Sequence, residues 1–180
     1  MLLKNLIKDV SNDKKDIIIR GLSTNSKTVK KNFIFFAIKG NKINGENFIK
    51  EAIDKGASVV VCSKSCKINH DKISIIKTNE IRYLLSEICS KFYKLKPKNI
   101  VAVTGTNGKT SVADLFYQIL KINKMPVASI GTLGVKYNDK TIKTNLTSPD
   151  TITLHKNLQF LKKKKIENVI MKNSSNGHDQ

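Results

Sequence analysis

The segment that most restricts the fold is Thr104–Ser111, TGTNGKTS, which follows the apolar run Ile100–Val103 and precedes apolar residues at helical spacing. A strand that ends in glycine and turns sharply into a helix aims backbone N–H groups and the positive end of the helix dipole at one point, which suits an oligophosphate. Lys109 adds a mobile cation there, and Thr110 a hydroxyl of the kind that ligates Mg2+ in such loops. Gly105 and Gly108 permit positive φ and close backbone approach. The spacing departs from GxxxxGK[ST], because Val103 stands at the position of the first glycine and the glycines present read GxxGKT. The loop predicts binding of a nucleoside triphosphate, with Gly105, Thr106, Asn107, Gly108, Lys109, Thr110 and Ser111 around the phosphates.

The residues around the loop predict two α/β regions. In the first, Ile17–Ile19, Phe33–Ile38, Ser58–Cys62 and Ile73–Ile76 read as strands, and Phe48, Ile49, Ala52 and Ile53 as a helix stopped by Gly56. Ile81, Leu84, Leu85, Ile88, Cys89 and Phe92 recur at amphipathic-helix spacing. Pro97 disfavours helix at Lys96 and a new apolar run starts soon after, so the boundary is placed near residue 97. The second region reads as a buried strand Ile100–Val103, the loop, a helix with Val112, Leu115, Phe116, Ile119 and Leu120 on one face, and a strand Val127–Ile130. A loop region, a helix over about 152–164 and a strand Val169–Met171 complete it. Strands alternating with helices imply βαβ units and a parallel sheet. A three-strand sheet of this kind leaves an edge and part of a face open, so the sequence reads as the front of a longer protein.

The net charge of +19 raises nucleic acid or an anionic membrane as partners. The lysines, however, are spread along the chain among Asn and Ile, and Lys162–Lys165 is the only long basic run, so a solvated surface explains them better. The longest apolar run, Phe33–Ile38, is far short of the roughly 18–20 residues that span a bilayer. Cys62, Cys66 and Cys89 lack zinc-ligand spacing and read as buried thiols in a reducing compartment, so a cytoplasmic protein is expected. A monomer is expected as well.

TGTNGKTS after IVAV resembles the ATP loop of the Mur ligases, the ATP-dependent amino-acid ligases of peptidoglycan precursor synthesis. The stretch STNSKTVKKNFIFFAIKGNKING, residues 23–45, is similar to the family's N-terminal signature. With IGTLG (130–134), LTSPDTITLH (146–155) and VIMKNSSNGHDQ (169–180), it resembles the branch that adds the third stem-peptide residue, over essentially the entire chain.

The resemblance implies an N-terminal domain, 1–97, that binds the uridine nucleotide of UDP-MurNAc-L-Ala-D-Glu, and an incomplete ATP-binding domain, 98–180. It implies ATP and Mg2+ as cofactors, Lys109 and Thr110 as the catalytic positions, and Thr110 as the metal ligand. Ser26, Asn41, Lys42 and Ile43 are implied to meet the uridine nucleotide, and Thr147, Ser148, Ser174 and Gln180 other parts of the substrate. Two positions depart from the pattern: Lys172 stands where the family has a glutamate that helps bind Mg2+, and Asn176 where it has a histidine. A cation cannot ligate a metal and repels it. These departures, and the family's further lysine, arginine and C-terminal domain beyond residue 180, lead to the expectation that the chain alone does not complete the reaction. A non-catalytic nucleotide-binding remnant and a folylpolyglutamate-synthase-like ligase are the alternatives. The added residue is read as diaminopimelate, with lysine open.

Overall fold

The structure is a computed structural model and describes residues 1–8, 10–41, 43–131, 134–142 and 150–172. The chain divides into two compact units, Met1–Phe92 and Tyr93–Gln180. The division lies at the end of a helix, ahead of the boundary suggested by Pro97. Tyr93 and Pro97 are buried and the Lys98 amide donates to Glu167 Oε2 at 3.1 Å, so residues 93–98 go with the second unit.

In the first unit, strands β1 (Gly21–Ser23), β2 (Phe33–Phe36), β3 (Ala57–Cys62) and β4 (Ser74–Lys77) form a parallel sheet in the order β1-β2-β3-β4. The runs FIFF and ASVVVC are continuously apolar or small because a parallel sheet is covered on both faces. Helix α1 (Ile49–Asp54) buries Ile49 and Ala52 against Phe35, Val60 and Cys62, and ends before Gly56. Helix α2 (Ile81–Phe92) buries Leu85, Ile88 and Cys89, with Ile81, Leu84 and Phe92 half-buried, as the spacing predicts.

Ile17–Ile19 does not form the expected strand. The Ile19 amide donates to Met1 O (2.7 Å) and Ile17 O accepts from the Leu3 amide (2.9 Å), so this segment is tied to the first residues of the chain. Ile18 makes a single bridge with Leu2, and the strand proper starts at Gly21.

The second unit contains β5 (Asn99–Val103), α3 (Lys109–Ile122), β6 (Val127–Gly131), β7 (Gly134–Tyr137), β8 (Lys140–Ile142), α4 (Thr151–Lys163) and β9 (Asn168–Lys172). Its sheet runs β5-β9-β6-β7-β8, parallel through β6 and antiparallel beyond it. The expected three-strand parallel sheet is thus its core. The residues read as loop after β6 add an antiparallel hairpin, closed by Asn138 and Asp139 at φ 45° and 58°. Two successive left-handed residues make the tight turn whose twist matches paired strands.

Leu158, Leu161 and Ile166 pack with Ala128, Ile130 and Val169 on one face of the sheet. Asp150 caps α4 by accepting from the Thr153 amide at 2.9 Å. Helix α3 lies on the other face, burying Ala113 and Tyr117, with the Lys136 ammonium of β7 4.6 Å above the Tyr117 ring.

Among the described residues strand β5 is an edge strand and is exposed, not buried; Ile100 and Val101 are each 39% exposed. The buried stripe of α3 is Ala113 and Tyr117 flanked by half-buried Phe116 and Leu120, whereas Val112, Leu115 and Ile119 face outward. The helix is apolar on two sides, and the four-residue spacing of Ala113 and Tyr117 lets the backbone approach the sheet at Ala113.

Candidate functional site

The phosphate-loop residues join the C-terminal end of β5 to the first turn of α3. Gly105 takes φ +137° and Gly108, the residue capping α3, takes φ +79°. At Gly108 an added Cβ meets nothing within 4 Å, and at Gly105 the nearest atom is Asn107 O at 3.8 Å. Glycine is therefore required by the torsion, not by crowding. Gly108 supplies no side-chain cap and the first turn of α3 carries no acidic residue. The N–H groups that begin α3 thus keep their donors and their share of the helix dipole for an anion.

Lys109 folds back over the loop, its ammonium donating to Gly105 O and to Thr106 O, the latter at 3.1 Å. Thr110 and Ser111 follow it on the exposed first turn. Beside the loop, Lys172 at the end of β9 is in register with Val103, the last residue of β5. The sequence-predicted phosphate residues 105–111 are therefore gathered in one place. Lys172, read from the sequence as a departure, adjoins them.

In the first unit, the Gly40 amide donates to Ile43 O at 2.9 Å and Lys39 bridges to Asn44, so the chain turns back on itself here. Asn41 and Ile43 project from this turn, exposed. Ser26 is placed differently. It is buried, and its hydroxyl donates to Glu51 Oε2 at 2.6 Å. The Lys55 ammonium and then the Ser26 hydroxyl hold the Glu51 carboxyl below the usual carboxylate range. A cleft of about 580 Å3, lined by Ile38, Lys39, Ser63, Glu80, Arg82 and Tyr83 among others, opens beside this turn; no spacing pattern in the sequence pointed to it. Lys42, Thr147, Ser148, Ser174, Asn176 and Gln180 lie outside the described residues.

Two further features surround the second unit's sheet. His155 on α4 is held below the usual imidazole range by burial and, secondarily, by Lys96, and its Nδ1 is buried without a partner among the described residues. A second cleft of about 440 Å3 lies at the opposite end of β6 from Gly131, lined by Tyr117, Lys121, Lys124, Asp139, Lys164 and Lys165 among others, with Lys121 paired to Asp139. No described helix is long and apolar enough to cross a membrane.

Comparison with known proteins agrees with this geometry. Residues 18–93 match the sequence model described as "Mur ligase family, catalytic domain", and residues 103–180 the one described as "Mur ligase middle domain". A UDP-N-acetylmuramoyl-L-alanyl-D-glutamate--2,6-diaminopimelate ligase of Rickettsia montanensis is 41% identical over 166 residues, covering 90% of this chain and 34% of the relative. The enzyme of that name from Zymomonas mobilis is 39% identical, covering 95% and 35%. The chain spans about a third of the length of these relatives. A solved structure of a ligase with this name superposes with a TM-score of 0.84 at 22% identity over 98% of this chain and 36% of that one, a likeness of fold. MurF ligase from Thermotoga maritima, solved in complex with ADP, gives a TM-score of 0.58 at 25% identity over 89% of this chain and 33% of its own.

Proposed function

Because this chain belongs to the Mur ligase family, we propose that it forms the precursor-binding and nucleotide-binding part of an ATP-dependent ligase that adds 2,6-diaminopimelate to UDP-MurNAc-L-Ala-D-Glu in peptidoglycan precursor synthesis. The observation that carries the reading is the uncapped, acid-free start of α3 behind two positive-φ glycines, with Lys109 folded over the loop.

In this reading the amides of residues 105–111 and the Lys109 ammonium hold the β- and γ-phosphates. Thr110 is the residue that would hold the Mg2+ of a nucleotide–Mg2+ complex, which supplies charge neutralisation on the phosphates when bound. A substrate carboxylate oxygen attacks the γ-phosphorus, the bond to the bridging oxygen breaks, and ADP departs, leaving an acyl phosphate. The amine of the diamino acid then attacks the acyl carbon, phosphate leaves with the bonding pair, and the nitrogen loses a proton. Phosphorylation is needed because a carboxylate has no leaving group. Lys109 and the loop amides act by position and charge, countering negative charge on the transferring group.

Asn41, Lys42 and Ile43, with the cleft beside Lys39 and Arg82, are assigned to the uridine nucleotide; Ser26 supports that region through Glu51. Thr147, Ser148, Ser174 and Gln180 are assigned to the rest of the precursor. The protein is proposed to work in the cytoplasm as a monomer on small molecules, without nucleic acid or membrane as partner.

Calorimetric titration of the purified chain tests the reading. ATP and UDP-MurNAc-L-Ala-D-Glu are each expected to bind saturably, and Lys109→Ala to weaken ATP by about tenfold or more while leaving the precursor unaffected. Absence of saturable ATP binding by the unaltered chain sinks the nucleotide assignment.

A further inference from the structure

Register and side-chain alternation fix where Lys172 points. Ile130, Ala128 and Val169 face α4 with Leu158 and Leu161. Successive residues of a strand face opposite ways, so Ile170 and Lys172 on β9, Gly131 on β6 and Val103 on β5 share the α3 side. The Tyr117–Lys136 contact marks the same side from β7, since Lys136 is in register with Ser129. Lys172 therefore sits at the C-terminal end of the sheet, on the face from which α3 starts, one strand from the residue that leads into the phosphate loop. Neighbouring strands are about 4.8 Å apart, a spacing well within the sweep of a lysine's four-carbon stem.

Its surroundings favour an anion. A Cβ placed on Gly131 would lie 2.6 Å from Lys172 Cε, so the absent side chain there is what gives the stem its room. Among the described residues no carboxylate forms an ion pair with Lys172 or with Lys109. No trio of His, Cys, Asp or Glu side chains in those residues could hold a metal ion. The described groups at this end of the sheet include the Lys109 and Lys172 ammonium groups, the hydroxyls of Thr104, Thr106, Thr110 and Ser111, the Asn107 side chain and the amides that start α3, with the Lys172 stem lying over Gly131 on the β6 side of its strand. Two cations and a row of donors attract phosphate oxygens strongly and a protein-held dication weakly.

We infer that Lys172 is a direct ligand of the nucleotide's terminal phosphate, through which this site binds a nucleoside triphosphate with little need of a divalent cation. This rests on the nucleotide reading above and adds to it. Lys172 replaces part of the charge neutralisation that Mg2+ would otherwise supply, and contributes most when the metal is absent.

The experiment is calorimetric titration of the 180-residue chain with ATP, once with excess Mg2+ and once with EDTA, for the unaltered protein, Lys172→Met, Lys172→Arg and Lys172→Glu. Thermal melts of each variant confirm folding. The unaltered chain is expected to lose less than about threefold in affinity in EDTA. Lys172→Met should lose about tenfold or more in EDTA and much less in Mg2+. Arginine should keep most of the metal-independent binding, and glutamate should make binding strictly dependent on Mg2+. A tenfold or larger loss by the unaltered chain in EDTA overturns the inference while leaving the nucleotide site standing. So does an unchanged affinity of Lys172→Met in EDTA. Absence of ATP binding in both buffers overturns both together.

Discussion

Gly108→Ala separates the torsional requirement at the phosphate loop from any requirement for space. The residue sits at φ +79°, and a methyl group there meets nothing within 4 Å. Its entire cost is the left-handed backbone, about 1–2 kcal/mol for an L-residue. Two responses are available to the chain. If the loop keeps its shape, unfolding stability falls by about 1–2 kcal/mol and ATP affinity is held. If the loop relaxes to negative φ, stability recovers, but the amides starting α3 swing off their common focus, and affinity falls by about five- to thirtyfold for the same energy. The two losses together should come to about 1–2 kcal/mol, read by urea unfolding and by ATP titration of one preparation. Asparagine at the same position, which tolerates this region better, should show a smaller sum. An alanine variant with unfolding free energy within about 0.3 kcal/mol and an ATP affinity within about twofold of the unaltered protein would refute the reasoning.

Other perturbations address the rest of the molecule. Leu161→Ala, at a fully buried position under the sheet, is expected to cost about 2–5 kcal/mol, whereas Leu115→Ser, on a position 62% exposed, should stay within about 0.5 kcal/mol in urea unfolding. His155 is harder to protonate folded than unfolded, so its contribution is intact above the unfolded value near 6.5 and is lost as pH falls from there toward the lower folded value. Unfolding curves from pH 7.5 to 5.5 should show stability dropping in the unaltered chain and less so in His155→Gln. The Cys62 thiol, pushed up to about 12 chiefly by burial and next by Cys66, should resist alkylation by iodoacetamide at pH 8 while the protein is folded and react promptly in denaturant, as peptide mapping would show.

Much of this protein follows from local sequence. The turn from β5 into α3 was legible because its shape is set within a few positions: glycines for positive φ and a run of apolar residues at helical spacing for the helix. The face of α2 was legible for the same reason, since its apolar residues form one stripe and the other sides are polar. Tertiary structure decided what local pattern leaves degenerate. Helix α3 has two apolar sides, and only packing on the sheet chose Ala113 and Tyr117 over Val112, Leu115 and Ile119. The run Ile100–Val103 looks like a central strand, yet its apolar residues do not state how many neighbours it has, and among the described residues it pairs with β9 alone, at the edge of the sheet. Ile17–Ile19 has strong strand character but spends its backbone hydrogen bonds on the first residues of the chain. Ser26 was expected at the uridine nucleotide, and only the fold brought Glu51, twenty-five positions away, to its hydroxyl. The position of Lys172 beside the phosphate loop was of this second kind. Sequence marked it as a residue of the wrong charge, and the pairing of β9 between β5 and β6 decided that this charge stands on the α3 face next to Val103. Periodicity reports which side of an element is apolar, but register between distant strands determines which side chains meet.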